Sequence, residues 1–303
     1  MRAALLREVG GPFELADVPD AEPAGGKVIV RVRAAGVNFA NVMIRRGVYP
    51  QMPELPAVLG SEVAGELEDG TRVMAITGGG GYAQQVAVDA SQVVPLPDHA
   101  SFADGASFLL TFLTAYVPLT RQVRIGPGSR VLVTAAAGGV GSAAIQVARG
   151  LGADVVGAVG SREKIDACLS LGVEAAYVYD ELPEDERFDA ILDQVGGERF
   201  AALLGLLRPL GTLIAVGSAA GAWPPVEPAR IVGRNAALAG FYLGRLLRLD
   251  PELVGTAVGE LLGLWQAGAL QPLVGAEIPL DEVERAHELV ESRRSVGKVV
   301  LIP

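Results

Sequence analysis

The run Val131-Leu-Val-Thr-Ala-Ala-Ala-Gly-Gly139-Val-Gly141-Ser-Ala-Ala144 joins a short apolar segment to a cluster of glycines and then to small residues. A Gly-x-Gly-x-x-Ala pattern between a predicted strand and a predicted helix is typical of a turn that binds a dinucleotide. Gly139 permits the tight turn, Gly141 lets the backbone approach a pyrophosphate, and Ala144 lets the helix pack on the strand. The N–H groups and the dipole at a helix start favour phosphate. We therefore expect a dinucleotide site here, the alternative being a flexible loop before an ordinary helix.

Downstream of this turn, segments typical of strands alternate with segments typical of helices. Short apolar runs predict strands at 130–135, 154–159, 175–179, 188–193 and 211–216, and helical patterns cover 142–151 and 162–171. Such alternation predicts βαβ units and a parallel sheet. The fold class is therefore α/β, with a doubly wound, Rossmann-type domain.

The remainder of the chain has a different pattern. In Lys27-Val-Ile-Val-Arg-Val-Arg-Ala, apolar and polar residues alternate, which predicts a half-buried antiparallel strand. Near the end, Asp281 and Glu284 have the spacing of a helix capping box, and Lys298-Val-Val-Leu-Ile predicts a closing strand. We expect both chain ends in one β-rich substrate domain, 1–110 and 245–303, and the dinucleotide-binding domain at 111–244.

The composition excludes several classes of site. The formal charge of −10 disfavours nucleic acid and anionic membranes as partners. With Cys168 as the single cysteine and His99 and His287 as the only histidines, neither an intrachain disulfide nor a four-cysteine or two-cysteine, two-histidine zinc site can form.

The uncharged segments 131–148 and 209–226 are interrupted by glycines or prolines and do not predict membrane spans. We expect a metal-free, cytoplasmic protein.

The residues after the second predicted strand of the nucleotide domain bear on the choice of cofactor. An NAD-type site places an acid about 20 residues beyond the first glycine, where it binds the ribose hydroxyls. Here the chain has Gly160-Ser161-Arg162-Glu163-Lys164, so that the acid comes late and between two cations. Ser161, Arg162 and Lys164 suit a 2′-phosphate. We predict NADPH in preference to NADH; the alternative is that both cations only face solvent at a helix start.

Two segments of the first domain carry a resemblance to a known family. They are Arg33-Ala-Ala-Gly-Val-Asn38-Phe-Ala-Asn41-Val-Met-Ile-Arg-Arg-Gly-Val-Tyr49-Pro and Leu59-Gly-Ser61-Glu62-Val-Ala-Gly65. With the glycine run, Gly81-Tyr-Ala, Asp193-Gln-Val-Gly and Arg285-Ala-His-Glu-Leu-Val-Glu-Ser-Arg, they make the chain resemble the zinc-independent quinone oxidoreductases of the medium-chain dehydrogenase/reductase superfamily. The resemblance covers nearly the whole chain and implies a GroES-like first domain. The chain departs from it at 66–73, where the usual loop is much shortened.

The resemblance also implies an absence of zinc and a set of binding residues. In zinc-dependent members, a catalytic cysteine occupies the region of Asn38 and a histidine ligand the place of Ser61, and this chain has neither. The implied substrate residues are Asn38 and Tyr49, and no catalytic side chain is assigned. The predicted cofactor residues are Asn38, Phe39, Thr114, Gly138, Gly139, Val140, Gly141, Gly160, Ser161, Arg162, Lys164, Tyr179, Val216, Gly217, Ser218, Ala219, Gly240, Phe241, Tyr242, Leu243 and Arg293.

The expected function is NADPH-dependent reduction of quinones by hydride transfer in an interdomain cleft, without a metal. The alternatives are an enal or enone double-bond reductase on the same scaffold and a non-catalytic NADPH-binding protein. One-electron and two-electron reduction both stay open. The resemblance implies a homodimer through the uncharged edge Asn235-Ala-Ala-Leu-Ala-Gly-Phe. Few asparagines and an excess of arginine over lysine lead us to expect a thermophile.

Overall fold

The computed structural model describes residues 1–303, which form sixteen β-strands and ten α-helices. The strands are β1 Arg2–Leu6, β2 Phe13–Asp17, β3 Lys27–Val37, β4 Ala57–Val58, β5 Glu62–Glu66, β6 Arg72–Ile76, β7 Gln85–Asp89, β8 Val93–Pro95, β9 Arg130–Thr134, β10 Asp154–Val159, β11 Ala175–Val178, β12 Phe188–Asp193, β13 Leu207–Ala215, β14 Ala237–Gly240, β15 Val274–Pro279 and β16 Lys298–Ile302. The helices are α1 Phe39–Arg45, α2 Phe102–Gly105, α3 Leu109–Val117, α4 Gly139–Gly150, α5 Ile165–Ser170, α6 Phe200–Leu203, α7 Pro228–Val232, α8 Leu243–Leu249, α9 Pro251–Gln266 and α10 Val283–Glu291.

The chain divides into two compact units. One consists of Met1–Leu110 with Pro272–Pro303, and the other of Thr111–Gln271. The sequence-based boundary at 245 is therefore corrected to 271/272. The reason is that α8 and α9 pack on each other and α9 is joined to the nucleotide unit, where Arg121 forms an ion pair with Glu260.

The second unit contains one six-stranded sheet in the order β11-β10-β9-β12-β13-β14, in which every neighbouring pair is parallel. Counted from β9, this is the 3-2-1-4-5-6 order of a doubly wound dinucleotide-binding fold. The predicted α/β class is confirmed. The order reverses between β9 and β12, and ligands of such sheets bind outside the carboxyl ends of the strands at that point.

The turn from β9 into α4 depends on glycine for a steric reason. A Cβ at Gly141 would lie 2.2 Å from the carbonyl oxygen of Ala135 and 2.8 Å from the backbone of Ala136. Ala143, Ala144 and neighbouring small residues of α4 are buried, and α4 contacts β9 and β10. The helix thus begins after a turn of four residues, 135–138, with its N-terminus at the carboxyl edge of the sheet.

The first unit is mainly antiparallel. A seven-stranded sheet runs in the order β15-β16-β3-β5-β6-β8, with β7 also paired to β3, and β2-β1-β4 form a second sheet. Within the seven-stranded sheet, only the β15–β16 pair is parallel. Along β3, Val30 and Val32 are buried while Arg31 and Arg33 are exposed, as the alternation predicts. The shortened 66–73 segment is a hairpin in which the Leu67 amide donates to the Thr71 carbonyl.

The predicted capping box of the last helix is wrong. A 3₁₀ turn, Leu280–Glu282, precedes α10, whose N-cap is Glu282. The Glu284 carboxylate instead accepts from the Phe13 amide at 2.6 Å and pairs with Arg45 at 2.8 Å. These two long-range donors hold it more strongly than a local backbone amide, because one is a cation.

One helical stretch, Phe102–Gln122, is long and apolar enough to cross a membrane by length and composition. Of its apolar window, 83% is buried inside the protein. Its side chains therefore contribute to the protein interior in the same way as a core helix.

Candidate cofactor and substrate site

Most of the predicted cofactor residues of the second unit follow the carboxyl ends of its parallel strands. They are residues 138–141 after β9, 160–164 after β10, Tyr179 after β11, 216–219 after β13 and 240–243 around the end of β14. The strand register places these ends side by side at one edge of the sheet. The structure thus brings these residues to one edge, and only Thr114, buried on α3, comes from elsewhere in this unit.

The N-terminus of α4 offers backbone donors at this edge. Its N-cap is Gly138, which has no side chain to cap the first-turn amides. The first-turn N–H groups of a helix have no intrahelical acceptor, and the helix dipole adds positive potential at that point. A pyrophosphate fits these donors, and a Cβ at Gly160 would meet no atom within 4 Å, so that the neighbouring strand end is open.

A buried polar network fixes the strand ends at the switch point. The carboxylate of Asp193 accepts from Thr134 Oγ1 at 2.8 Å and from the Gly196 amide at 2.8 Å. Gln194 Nε2 donates to the Thr134 carbonyl at 2.7 Å. Burial raises the pKa of Asp193 above its ordinary value, and its hydrogen bonds offset only part of this rise. Asp193 therefore holds β9 and β12 in register beneath the candidate site.

Two of the predicted 2′-phosphate donors, Ser161 and Arg162, are already paired with carboxylates. Ser161 Oγ donates to Glu163 at 2.9 Å, and Arg162 forms an ion pair with Glu181. The Arg162 side chain is 73% exposed. Lys164 is half-buried, and this burial lowers the pKa of its ammonium group. An incoming phosphate would compete with Glu163 and Glu181 for these donors.

Tyr179 has a role that the sequence did not reveal. Its hydroxyl oxygen accepts from the backbone N–H of Ala135 at 2.7 Å. Ala135 has a φ of 47°, in the left-handed region that alanine seldom adopts. The tyrosine therefore anchors the loop between β9 and α4, and Arg199 lies over its ring at 5.8 Å.

Backbone hydrogen bonds fix the residues that follow β13 and β14. The Val216 amide donates to the Asp193 carbonyl at 2.9 Å, and the Phe241 amide to the Ala215 carbonyl at 2.9 Å. A Cβ at Gly217 would lie 2.8 Å from the Gln194 carbonyl oxygen, so that a side chain at this position would crowd the backbone. Glycine at this position therefore lets the segment after β13 pack directly against the backbone after β12.

The other predicted residues lie in the first unit. Asn38 is 7% exposed and is the N-cap of α1, Phe39 is the first residue of that helix, and Tyr49 is half-buried in the loop after it. Arg293 follows α10 with a φ of 58°. The backbone amide of Asn38 donates to Asn41 Oδ1 at 3.0 Å, which fixes the start of α1.

Two buried charged residues of the first unit were missed by the sequence analysis. Lys298 Nζ lies 2.7 Å from both Asn38 Oδ1 and Glu62 Oε2. Next to Glu62, Ser61 Oγ is buried without a hydrogen-bond partner. The available signal was a lysine that opens the apolar strand Lys298-Val-Val-Leu-Ile, because a charge in such a run is rarely buried unless it is paired.

The side chains that commonly bind metal ions do not cluster in this structure. No group of three or more His, Cys, Asp or Glu residues is arranged to hold a metal ion. Cys168 is buried, which raises its pKa to about 11. His287 is fully buried, with Nε2 3.2 Å from the hydroxyl of Tyr82, so the predicted core position on α10 is confirmed.

Comparisons with known proteins agree with this architecture. Residues 24–98 match the alcohol dehydrogenase GroES-like domain, and residues 151–301 match the zinc-binding dehydrogenase family. A quinone oxidoreductase-like protein 2 homolog of Nematostella vectensis is 32% identical over 99% of this chain and 88% of its own length. The chain belongs to the medium-chain dehydrogenase/reductase superfamily. It is thus a member of an oxidoreductase enzyme family, as the resemblance predicted.

Two further similarities show the breadth of this family. The synaptic vesicle membrane protein VAT-1 homolog of Homo sapiens is 31% identical over all of this chain and 86% of its own length. The quinone oxidoreductase of Thermus thermophilus, solved alone and in complex with NADPH, is 38% identical with a TM-score of 0.90 over the full length of both chains.

Proposed function

We propose that this chain reduces quinones with NADPH and without a metal ion. The observation that carries the proposal is the carboxyl edge of the parallel sheet. Uncapped amides of α4 lie there, and Ser161, Arg162 and Lys164 follow β10. The similarity to a quinone oxidoreductase solved with NADPH supports both the cofactor and the acceptor class.

Each group of residues has a distinct task in this proposal. The α4 amides bind the pyrophosphate, and Arg162 and Lys164 bind the 2′-phosphate. The dinucleotide, when bound, supplies the hydride. The side-chain amide of Asn38 donates to a quinone oxygen as negative charge develops there, and water supplies the proton. The products are NADP⁺ and a hydroquinone.

The proposed independence from metal rests on the side chains at two positions. Asn38 and Ser61 stand where zinc-dependent relatives are expected to carry cysteine and histidine, and neither side chain is a preferred zinc ligand. We expect elemental analysis to find no stoichiometric zinc and chelators to leave activity intact. Activity that is lost to a chelator and restored by zinc would contradict this part of the proposal.

A glycine pair within α4 tests the dinucleotide site. Gly141→Ala places a Cβ 2.2 Å from a backbone oxygen, whereas a Cβ at Gly150 of the same helix meets nothing within 4 Å. We expect Gly141→Ala to abolish NADPH binding and Gly150→Ala to retain it, measured by cofactor titration with circular dichroism as the check on folding. Equal binding by the two variants would contradict the site.

The acceptor is tested by the rate of NADPH oxidation with quinones, with 2-alkenals and with no acceptor. The proposal requires that quinones give the largest kcat/KM. A larger value for 2-alkenals would reassign the chain as a double-bond reductase. NADPH binding without oxidation by either acceptor would indicate a non-catalytic binding protein.

A further inference from the structure

A buried three-residue cluster in the first unit links a charged pair to the amide of Asn38. Lys298 Nζ donates to Asn38 Oδ1 and to Glu62 Oε2, each at 2.7 Å. The other oxygen of Glu62 accepts from the Leu110 amide at 2.8 Å. Lys298 is 4% exposed and Glu62 is 0% exposed. Lysine occurs at only three positions, Lys27, Lys164 and Lys298. Of these three, only Lys298 is buried.

Stability alone does not account for this cluster. Apolar residues of similar volume often replace a buried ion pair without loss of stability, because the desolvation of both charges offsets their attraction. The backbone nevertheless makes room for the pair at Gly36. A Cβ there would lie 2.9 Å from Lys298 Cε, 3.0 Å from Glu62 Oε2 and 2.3 Å from the Ala106 carbonyl oxygen.

The consequence of the pair is an unambiguous orientation of the Asn38 amide. An ammonium group can only donate hydrogen bonds, so the asparagine atom that faces it must be the oxygen. The NH₂ group therefore points away from Lys298. Its contact to the Gly36 carbonyl is 3.5 Å long, at the limit of a hydrogen bond, which leaves donor capacity for another oxygen.

We propose that Lys298, held in place by Glu62, is a positioning residue that keeps the Asn38 NH₂ group directed at the carbonyl oxygen of the acceptor. The proposal rests on the function proposed above. Without the ammonium group, the amide can turn over and present its oxygen, which repels a carbonyl. Glu62 contributes by fixing the ammonium group, and Asn41 by fixing the Asn38 backbone.

The double variant Glu62→Gln/Lys298→Met tests this role without leaving one buried charge unpaired. Because a hydrogen bond to a charged group holds the amide, we expect kcat with tetramethyl-1,4-benzoquinone to fall about tenfold or more. The Kd for NADPH should stay within about twofold, since the phosphate-binding residues are unchanged. Lys27→Met, at the exposed start of β3, is the matched control and should retain full activity. An undiminished kcat in the double variant would overturn the proposal.

A second measurement reads the amide directly and does not depend on turnover. The chain has three asparagines, Asn38, Asn41 and Asn235, so ¹⁵N-asparagine labelling gives three side-chain NH₂ signals. Asn38→Asp assigns one of them by its loss. In the wild type we expect stronger nuclear Overhauser contacts from this NH₂ group to Gly36 than to Lys298, and a shift when NADP⁺ and tetramethyl-1,4-benzoquinone are added.

The two measurements separate the failure of this proposal from the failure of the proposed function. In the double variant we expect the Asn38 NH₂ group to lose its fixed contacts to Gly36. If they persist, Lys298 does not orient the amide and the positioning proposal is overturned. If the wild type reduces no quinone but the contacts change as expected, the orientation stands and the acceptor class is wrong.

Discussion

At the level of a single side chain, we propose that Arg162 decides between NADPH and NADH. It is mostly exposed and forms an ion pair with Glu181, which follows β11. Exposed pairs of this kind contribute little, so a phosphate with about two negative charges can replace the carboxylate. Glu181 then acts as a competitor of the phosphate for Arg162.

Two substitutions test this competition. Arg162→Ala should weaken NADPH binding about tenfold and leave NADH binding nearly unchanged, because only NADPH carries the phosphate. Glu181→Gln should tighten NADPH binding about two- to fivefold, since it frees Arg162. Titration of both cofactors into the three proteins measures these effects. Equal losses for NADPH and NADH in Arg162→Ala would mean that the side chain supports the fold.

The sequence did not allow us to predict which individual side chains pair with one another. Ser161, Arg162 and Lys164 were predicted from their place after a strand, because the carboxyl ends of parallel strands form the site. Glu181 lies after another strand, and its pairing with Arg162 depends on the sheet order. Lys298 and Glu62 are 236 residues apart, so that only the antiparallel pairing of β16 and β5 with β3 brings them together.

At the scale of elements, the β9–α4 loop depends on a contact from the end of β11. Tyr179→Phe removes the acceptor of the Ala135 amide and leaves a partly buried donor unpaired. We expect a loss of about 1 kcal/mol in the free energy of unfolding. NADPH and NADH binding should weaken by the same factor, because the loop serves both. Tyr177→Phe, two residues earlier on β11, is the matched control. A loss confined to NADPH would mean that the hydroxyl binds the 2′-phosphate instead.

Helix α10 contains a buried group that should make stability depend on pH. Burial lowers the pKa of His287 to about 3, and the charge of Arg45 adds to this effect. In the unfolded chain its pKa is near 6.5. Below pH 6.5 the unfolded chain therefore binds a proton that the folded chain excludes, and stability falls as the pH decreases towards 3.

His287→Gln removes this titration and keeps a partner for Tyr82. Relative to the variant, the wild type should lose about 1.4 kcal/mol of unfolding free energy for each pH unit between about pH 6 and 4. Urea unfolding at several pH values measures the difference. His99→Gln, at an exposed position, is the control and should follow the wild type. A difference between wild type and His287→Gln that does not change with pH would contradict the buried neutral histidine.

Regular elements were predicted well where one strong pattern decided them, as for β10 and β12, whose bounds agree with the sequence. The helix predicted over 162–171 is a 3₁₀ turn, Arg162–Lys164, followed by the shorter α5. The residues directly after β10 form the connection from the strand to the helix and are not part of the α-helix. The N-cap of α10 was predicted wrongly because Glu284 binds the Phe13 amide and Arg45, which are distant in the sequence, and not the start of its own helix. Local rules fail in both places where tertiary contacts compete for the same groups.

At the scale of the whole molecule, the sheet of the second unit ends in an unpaired edge. The outer strand β14 carries no charge, and Leu238 is exposed on it. Leu210 and Val232 nearby are also exposed. We propose that two copies pair along β14 and form a homodimer.

Sedimentation of Leu238→Lys tests the dimer. A charge at the edge opposes strand pairing, so this variant should dissociate at micromolar concentration while the wild type stays dimeric. Leu169→Lys changes an exposed leucine on α5 and should leave the dimer intact. A monomeric wild type at micromolar concentration would contradict the assembly.

Above all, we propose that a hydride passes from NADPH to a quinone on this chain without a metal ion. The most direct measurement is the oxidation of NADPH, deuterated at both C4 positions, by tetramethyl-1,4-benzoquinone with the chelator-treated full-length enzyme. We predict one NADPH consumed for each hydroquinone formed and a slower rate with the deuterated cofactor. Oxidation no faster than without acceptor, or a rate that returns only when zinc is added, would contradict the account.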